Sequence, residues 1–178
     1  MPDSPDGGAV EPAAAHLHQR LERVAQASRL AAAIYGLIVS GAVMAAAGEH
    51  GTVREVAITV FVTVLVYWLA ESYADVLGEQ IAEERPSTWA RTRELLRQGW
   101  PLVEASYVPL VVMVLAWAVG MSATNAITAG LVTNALLLVA LGWIASAQSH
   151  SSIPARAVSA ALAGAFGMVM IVIKTLLH

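Results

Sequence analysis

Stretches without formal charge divide the chain into apolar segments long enough to cross a lipid bilayer. A transmembrane helix needs about 20 mainly apolar residues, because the hydrocarbon core is about 30 Å thick. Residues 105–155 carry no Asp, Glu, Lys or Arg, which suffices for two such helices joined at the turn signal 122–125. The pattern predicts an all-α, polytopic membrane protein with five transmembrane helices. The spans are expected at roughly 30–48, 55–77, 102–121, 126–146 and 155–176.

The N-terminal region is too polar to belong to these spans. Residues 1–12 are rich in Pro, Gly and acids, which predicts a disordered tail. Residues 13–28 place Leu17, Leu21 and Val24 at helical spacing beside charged side chains. This spacing predicts an amphipathic helix that lies on the membrane surface and leads into the first span.

The predicted transmembrane domain, residues 29–178, contains a second amphipathic segment at about 87–98. Its arginines are expected to face lipid headgroups and its apolar side chains to face lipid. A Gly and a Trp-Pro pair are expected to end the helix. The residues are Arg91, Arg93 and Arg97 on the headgroup face, Trp89, Leu95 and Leu96 on the lipid face, and Gly99, Trp100 and Pro101 at the end.

Composition agrees with a membrane protein and excludes several functional classes. Hydrophobic residues make up 57% and charged residues 13%, against about 45–50% and 25% in soluble domains. The absence of cysteine excludes disulfides, thiolate nucleophiles and zinc fingers. A net charge of −3 argues against nucleic acid as a partner. The chain has no phosphate-binding Gly-rich loop, no His-Glu-x-x-His and no Gly-x-Ser-x-Gly, so we do not expect an enzyme.

The basic residues predict an orientation. With five spans, eight of the ten Lys and Arg residues fall on the side of the N-terminus, and only Arg54 and Lys174 fall on the other. The positive-inside rule then places the N-terminus in the cytoplasm and the C-terminus outside. Nine of the ten are Arg, and with the abundance of Ala and Val this indicates the plasma (inner) membrane of a bacterium with a GC-rich genome.

Acidic residues supply the candidate chemistry. Glu71, Asp75, Glu79 and Glu83 are spaced four apart at the cytoplasmic end of the second span, so they form a slowly drifting stripe. Glu104 is expected at similar depth in the third span. Carboxylates that converge without a basic partner repel one another and favour binding a proton or a cation. Oxygen ligands suit hard divalent cations, which makes Glu71 and Asp75 the candidate metal ligands.

A structural interpretation of the same acids stays open. Asp75, Glu79 and Glu83 fit an ordinary solvated helix end whose carboxylates pair with arginines of the 87–98 segment. Glu104 fits the N-terminus of a helix, where negative charge is favourable. Glu71 lies deeper than these, where an ionised carboxylate costs about 2.5–3.5 kcal/mol on insertion scales, so we favour a functional role for it.

Small and polar residues within the spans indicate helix packing. Gly36 and Ser40 are four residues apart in the first span, and Gly164 lies in a similar pattern in the last. Small residues at this spacing let helices approach closely, within one chain or between two copies. Asn134, in the middle of the fourth span, is expected to form hydrogen bonds between helices.

Residues 33–37, Ala-Ile-Tyr-Gly-Leu, and the later Gly78-Glu79 pair resemble the vacuolar iron transporter-like proteins. The resemblance covers about residues 29–84 and the topology. Those proteins are dimers with five spans, an inner N-terminus and an outer C-terminus, and they exchange Fe²⁺ or Mn²⁺ for protons. The resemblance implies a homodimer in the bilayer with a divalent cation as substrate. The family carries Asp-Gly in the first span, whereas this chain has no acid there.

Two functions of different classes follow. The first is a small transporter linked to protons or divalent cations, with Glu71, Asp75, Glu79 and Glu104 at its site. The second is a non-transporting membrane scaffold or partner subunit, in which the acids pair with arginines to hold the structure together.

Overall fold

The computed structural model describes residues 7–48, 51–83, 88–148 and 153–176. Within these residues the backbone forms six α-helices and no strand, so the predicted all-α class is confirmed. The helices are α1 (Gly7–Ala47), α2 (Val53–Glu83), α3 (Trp89–Gly99), α4 (Pro101–Ala118), α5 (Ala123–Gln148) and α6 (Ile153–Leu176).

Four helical segments of the described chain are long and apolar enough to cross a membrane. They are His18–Ala47, Val53–Ala82, Trp89–Ala118 and Ala123–Ala147. The described apolar stretch of α6, Ala157–Val169, is shorter than a crossing helix requires. The helices are compatible with a multi-pass integral membrane protein. The fifth span and the orientation of the termini stay predictions.

α1 joins the predicted surface helix and the first span in one helix. It begins at Gly7, inside the segment expected to be a tail, while residues 1–6 lie outside the described chain. Between Pro12 and Gly36 there is no Gly or Pro that would interrupt it. At 1.5 Å per residue, its 41 residues extend about 60 Å, twice the thickness of the hydrocarbon core. The side chains of residues 18–29 are exposed, so this part of α1 projects from the bundle.

α3 ends at Gly99, as the Gly99 and Trp100-Pro101 signals predict, but α4 follows at Pro101 with little interruption. Trp100 keeps helical dihedrals (φ −56°, ψ −33°), and its carbonyl oxygen accepts hydrogen bonds from the amides of Val103 and Glu104 at 2.9 and 3.2 Å. Proline lacks an amide donor but fits the first turn of a helix, where that donor has no partner within the helix. Pro101 therefore marks the junction of two helices and does not turn the chain back.

The inner face of α3 packs alongside the end of α2. Leu95 is buried, and the carbonyl oxygen of Leu96 accepts a hydrogen bond from Nε1 of Trp68 at 3.0 Å. The rings of Trp68 and Trp100 meet edge to face with centroids 5.1 Å apart. The expectation that Leu95 faces lipid is therefore wrong, because α3 leads into α4 and stays beside α2. Trp89 is exposed.

The core lies where α1, α2, α4 and α5 meet. Its fully buried side chains include Met44, Val60, Met113 and Ile127, one from each of these helices. α1 approaches α4 closely at Gly36, where a Cβ atom would overlap the backbone carbonyl of Leu102. The helices can therefore pack at this separation only with glycine at position 36.

We expect Gly36→Ala to lower the free energy of unfolding by about 1–3 kcal/mol, because the added methyl group forces α1 and α4 apart. Gly78→Ala is the matched control, since a Cβ there meets no atom within 4 Å and alanine favours helix. Thermal unfolding of the purified protein in detergent, followed by circular dichroism, measures both. Equal melting temperatures for the two variants would contradict the packing described here.

The N-terminus of α2 is closed by a reciprocal capping box. Oε2 of Glu55 accepts hydrogen bonds from the amide and the hydroxyl of Thr52 at 2.8 and 2.9 Å, and the Glu55 amide donates to Oγ1 of Thr52 at 3.3 Å. Thr52→Ala is expected to destabilise the protein by about 0.5–2 kcal/mol. Thr133→Ala removes a hydroxyl bonded to the preceding turn of α5, and we expect a smaller change in the same melting experiment.

Candidate functional site

Glu71 lies on α2 beside two tyrosines. The rings of Tyr35 on α1 and Tyr67 on α2 meet edge to face with centroids 5.7 Å apart. Glu71 follows Tyr67 by one helical turn and interacts electrostatically with Tyr35 and with Asp75. The α1–α2 boundary therefore brings together two hydroxyls and two carboxyls, and we call Tyr35, Tyr67, Glu71 and Asp75 the tyrosine–acid cluster.

One oxygen of Glu71 is buried without a hydrogen-bond partner. Its Oε2 atom is shielded from solvent, and no described residue donates a hydrogen bond to it. Asp75, one turn further along α2, is exposed. A buried, unpaired carboxylate oxygen is costly, whereas a bound proton or cation supplies the missing partner. The cluster thus has an acceptor on the buried side and a carboxylate on the open side.

Glu79 forms an ion pair with α3, although its Oε2 atom, like that of Glu71, is buried without a hydrogen-bond partner among the described residues. Its Oε1 atom accepts from both Nε and the terminal Nη2 of Arg91, each at 2.6 Å. The Glu79 side chain is 18% exposed and that of Arg91 is 50% exposed. This pair joins the end of α2 to the start of α3. An ion pair between Glu79 and an arginine of the 87–98 segment is what a purely structural role of Glu79 predicts.

Glu104 lies in a different part of the bundle. It sits in the first turn of α4 and lines a groove between α1, α4 and α5 with Ala33 and Leu37 of α1. Tyr35 is two residues from Ala33 and two from Leu37. At about 100° per residue, its side chain therefore leaves α1 on roughly the opposite side. The structure therefore places Glu71 and Glu104 on opposite faces of α1 and does not bring them together.

The described residues contain no group of three or more His, Asp or Glu side chains close enough to hold a metal ion. Glu71 and Asp75 supply two carboxylates, while Mg²⁺ and Ca²⁺ are held by six or more oxygen ligands that include water. The assignment of Glu71 and Asp75 as metal ligands stays a prediction. The side chains of Glu83 and Glu84 lie outside the described residues.

The predicted packing residues sit between helices. Asn134 is 1% exposed and donates from Nδ2 to the carbonyl oxygen of Leu37 at 3.0 Å, while its Oδ1 lies 3.1 Å from the donating hydroxyl of buried Ser40. These bonds fix α5 against α1. At Gly164 a Cβ atom would lie 3.0 Å from Val139, which shows close packing of α6 on α5.

Sequence reasoning missed the tyrosines of the cluster. Tyr67 lies one turn before Glu71 on the same helix, so its proximity was readable from the spacing. In the sequence, Tyr35 stands out only as part of the resemblance at residues 33–37. Its approach to Glu71 depends on how α1 is rotated against α2, and the sequence gives no local signal for that rotation.

Comparison with known proteins adds no relative. No family model, no curated protein and no solved structure matches the chain. The resemblance to the vacuolar iron transporter-like proteins is untouched by this finding and stays a prediction.

The Glu79–Arg91 pair allows a direct test of how α2 and α3 are joined. In a double-mutant cycle with Glu79→Gln and Arg91→Gln, we expect a coupling of about 0.5–1 kcal/mol, as for half-exposed ion pairs. Added salt should reduce it. Unfolding in detergent gives the four free energies. Additive effects of the two substitutions would show that the pair does not hold the helices together.

Proposed function

We propose that this chain is a small membrane transporter in which Glu71 binds and releases a proton or a cation. The observation that carries the proposal is the buried Oε2 of Glu71, which has no hydrogen-bond partner among the described residues. A carboxylate within a span is rare and costly, and it is retained where it faces a pathway or a titrating partner. The proposal involves no catalytic step.

The proposed arrangement has five spans, a cytoplasmic N-terminus and an outer C-terminus, in the plasma membrane of a bacterium. The excess of basic residues on one side supports this orientation. Glu55 lies in the first turn of α2, and Glu71 lies about 24 Å further along the helix. Since the hydrocarbon core is about 30 Å thick, Glu71 is then close to its far edge. In this arrangement Glu71 sits just inside the cytoplasmic boundary.

Within the cluster, each group has a distinct proposed role. Glu71 alternates between a charged form that attracts a cation and a neutral form that releases it. Asp75, exposed one turn nearer the helix end, raises the local concentration of cations by its charge. The hydroxyls of Tyr35 and Tyr67 offer oxygen ligands or donors on the other side. Protons, Mn²⁺ and Fe²⁺ are the candidate substrates, the metals following from the resemblance.

A membrane scaffold or partner subunit is the second candidate. The Glu79–Arg91 pair and the hydrogen bond from Trp68 to Leu96 favour it, because they give two features near the acidic stripe a structural role. In this interpretation Glu71 stabilises the contact between α1 and α2 and takes no part in transport.

Reconstitution in liposomes separates the two functions. We expect wild-type protein to carry Mn²⁺, Fe²⁺ or protons, and Glu71→Gln to reduce the flux to that of empty liposomes, since an amide cannot exchange a proton. Glu94→Gln is the matched control, because Glu94 is an exposed acid on α3 outside the cluster, and its flux should equal that of wild type.

The folded state of each variant is checked by circular dichroism and melting temperature. Flux retained in well-folded Glu71→Gln would overturn the role of Glu71. Absence of flux from well-folded wild type, together with a lower melting temperature for Glu71→Gln, would establish the structural role instead.

A further inference from the structure

The two sides of α3 carry arginines with different surroundings. Leu95 marks the buried side, and Arg91 on the flank pairs with Glu79 of α2. Arg93 and Arg97 each lie two residues from Leu95, which places them about 200° around the helix on the opposite side. Both are exposed, and they are one turn apart. We call this pair the outer arginines.

The outer arginines have no acidic partner in the described part of the chain. Neither forms an ion pair there, in contrast to Arg91. Glu94 lies between them in sequence but about 100° around the helix from Arg93. Its Oε1 atom accepts a weak hydrogen bond from Nε2 of Gln98 at 3.4 Å. Two guanidinium groups therefore point outward together, with their donors available to an anion.

The predicted topology places α3, and with it these groups, at a membrane surface. The apolar stretch of α4 begins after Trp100, which meets Trp68 edge to face, and tryptophans concentrate at membrane–water interfaces. Arg97 precedes Trp100 by less than one turn. Trp89, one turn before Arg93, is 78% exposed, as expected for an indole in a headgroup layer.

We propose that Arg93 and Arg97 bind the phosphate groups of anionic phospholipids at the end of the bundle where α3 meets α2. Guanidinium groups form bidentate, charge-assisted hydrogen bonds with phosphate, and their spacing of one helical turn presents two of them to the same headgroup layer. Each basic residue near an anionic surface contributes about 1 kcal/mol, which corresponds to about fivefold in affinity. The inference requires a membrane-embedded protein and is independent of transport.

Thermal unfolding of the full chain in micelles doped with lipid tests this surface. A ligand that binds the folded state raises the melting temperature as its concentration increases, so the titration yields an apparent affinity. We expect phosphatidylglycerol to raise the melting temperature more than phosphatidylcholine. The double variant R93Q/R97Q should weaken the affinity for phosphatidylglycerol by about fivefold per arginine removed.

Three comparisons make the result specific. Arg54→Gln removes an exposed arginine at the other end of α2 and should leave the lipid affinity unchanged. R93K/R97K keeps the charge but loses the bidentate donors, so its lipid affinity should lie between those of wild type and R93Q/R97Q. High salt should abolish the preference of wild type. The salt titration uses unaltered protein, so it stays decisive if the double variant does not fold.

Equal affinity of wild type and a folded R93Q/R97Q for phosphatidylglycerol would overturn the proposal. So would a preference unaffected by salt, or an equal loss in Arg54→Gln. If phosphatidylglycerol has no effect while a soluble acidic peptide raises the melting temperature through the same arginines, the surface serves a protein partner and the lipid assignment is wrong.

Discussion

The backbone contact between α1 and α4 at Gly36 is the constraint on which the rest of the bundle depends. α1 packs against all five other described helices, so its distance from any one of them affects the others. Without a side chain at position 36, the Leu102 carbonyl can lie directly against α1. In lipid, where apolar side chains gain little from leaving the solvent, such close van der Waals packing is a main source of helix association.

This contact also fixes the rotation of α1 about its axis. The rotation determines which polar side chains of α1 face α2, α4 and α5. Ser40 faces α5 and joins Asn134 in a buried hydrogen-bonded pair. Leu37 lines the groove that holds Glu104. Tyr35, which precedes both in sequence and lies on another side of α1, faces α2 and the acid of the cluster. α1 thus separates Glu71 from Glu104, which share a depth in the predicted topology. Its Tyr35 hydroxyl lies on the side of Glu71 only.

The apolar helices could be read from the sequence, because charge-free stretches of sufficient length need no tertiary information. The four-residue spacing of Glu71, Asp75 and Glu79 likewise follows from helix geometry alone. The relation of α3 to α4 could not be read, because Trp100-Pro101 is compatible with a helix end and with the first turn of a new helix. The separation of Glu71 from Glu104 depends on the rotation of α1, which is set by packing at Gly36 and not by local sequence.

Three attachments along α2 have a mechanical consequence. Phe61 stacks on Tyr107 of α4, Trp68 meets Trp100, and Glu79 binds Arg91, over about 27 Å of helix. Contacts at three heights oppose sliding of α2 along α3 and α4, so we expect these three helices to move together. α1 contacts these helices closely at Gly36 and at the Tyr35–Tyr67 rings, so any shift of α1 against them changes the surroundings of Glu71.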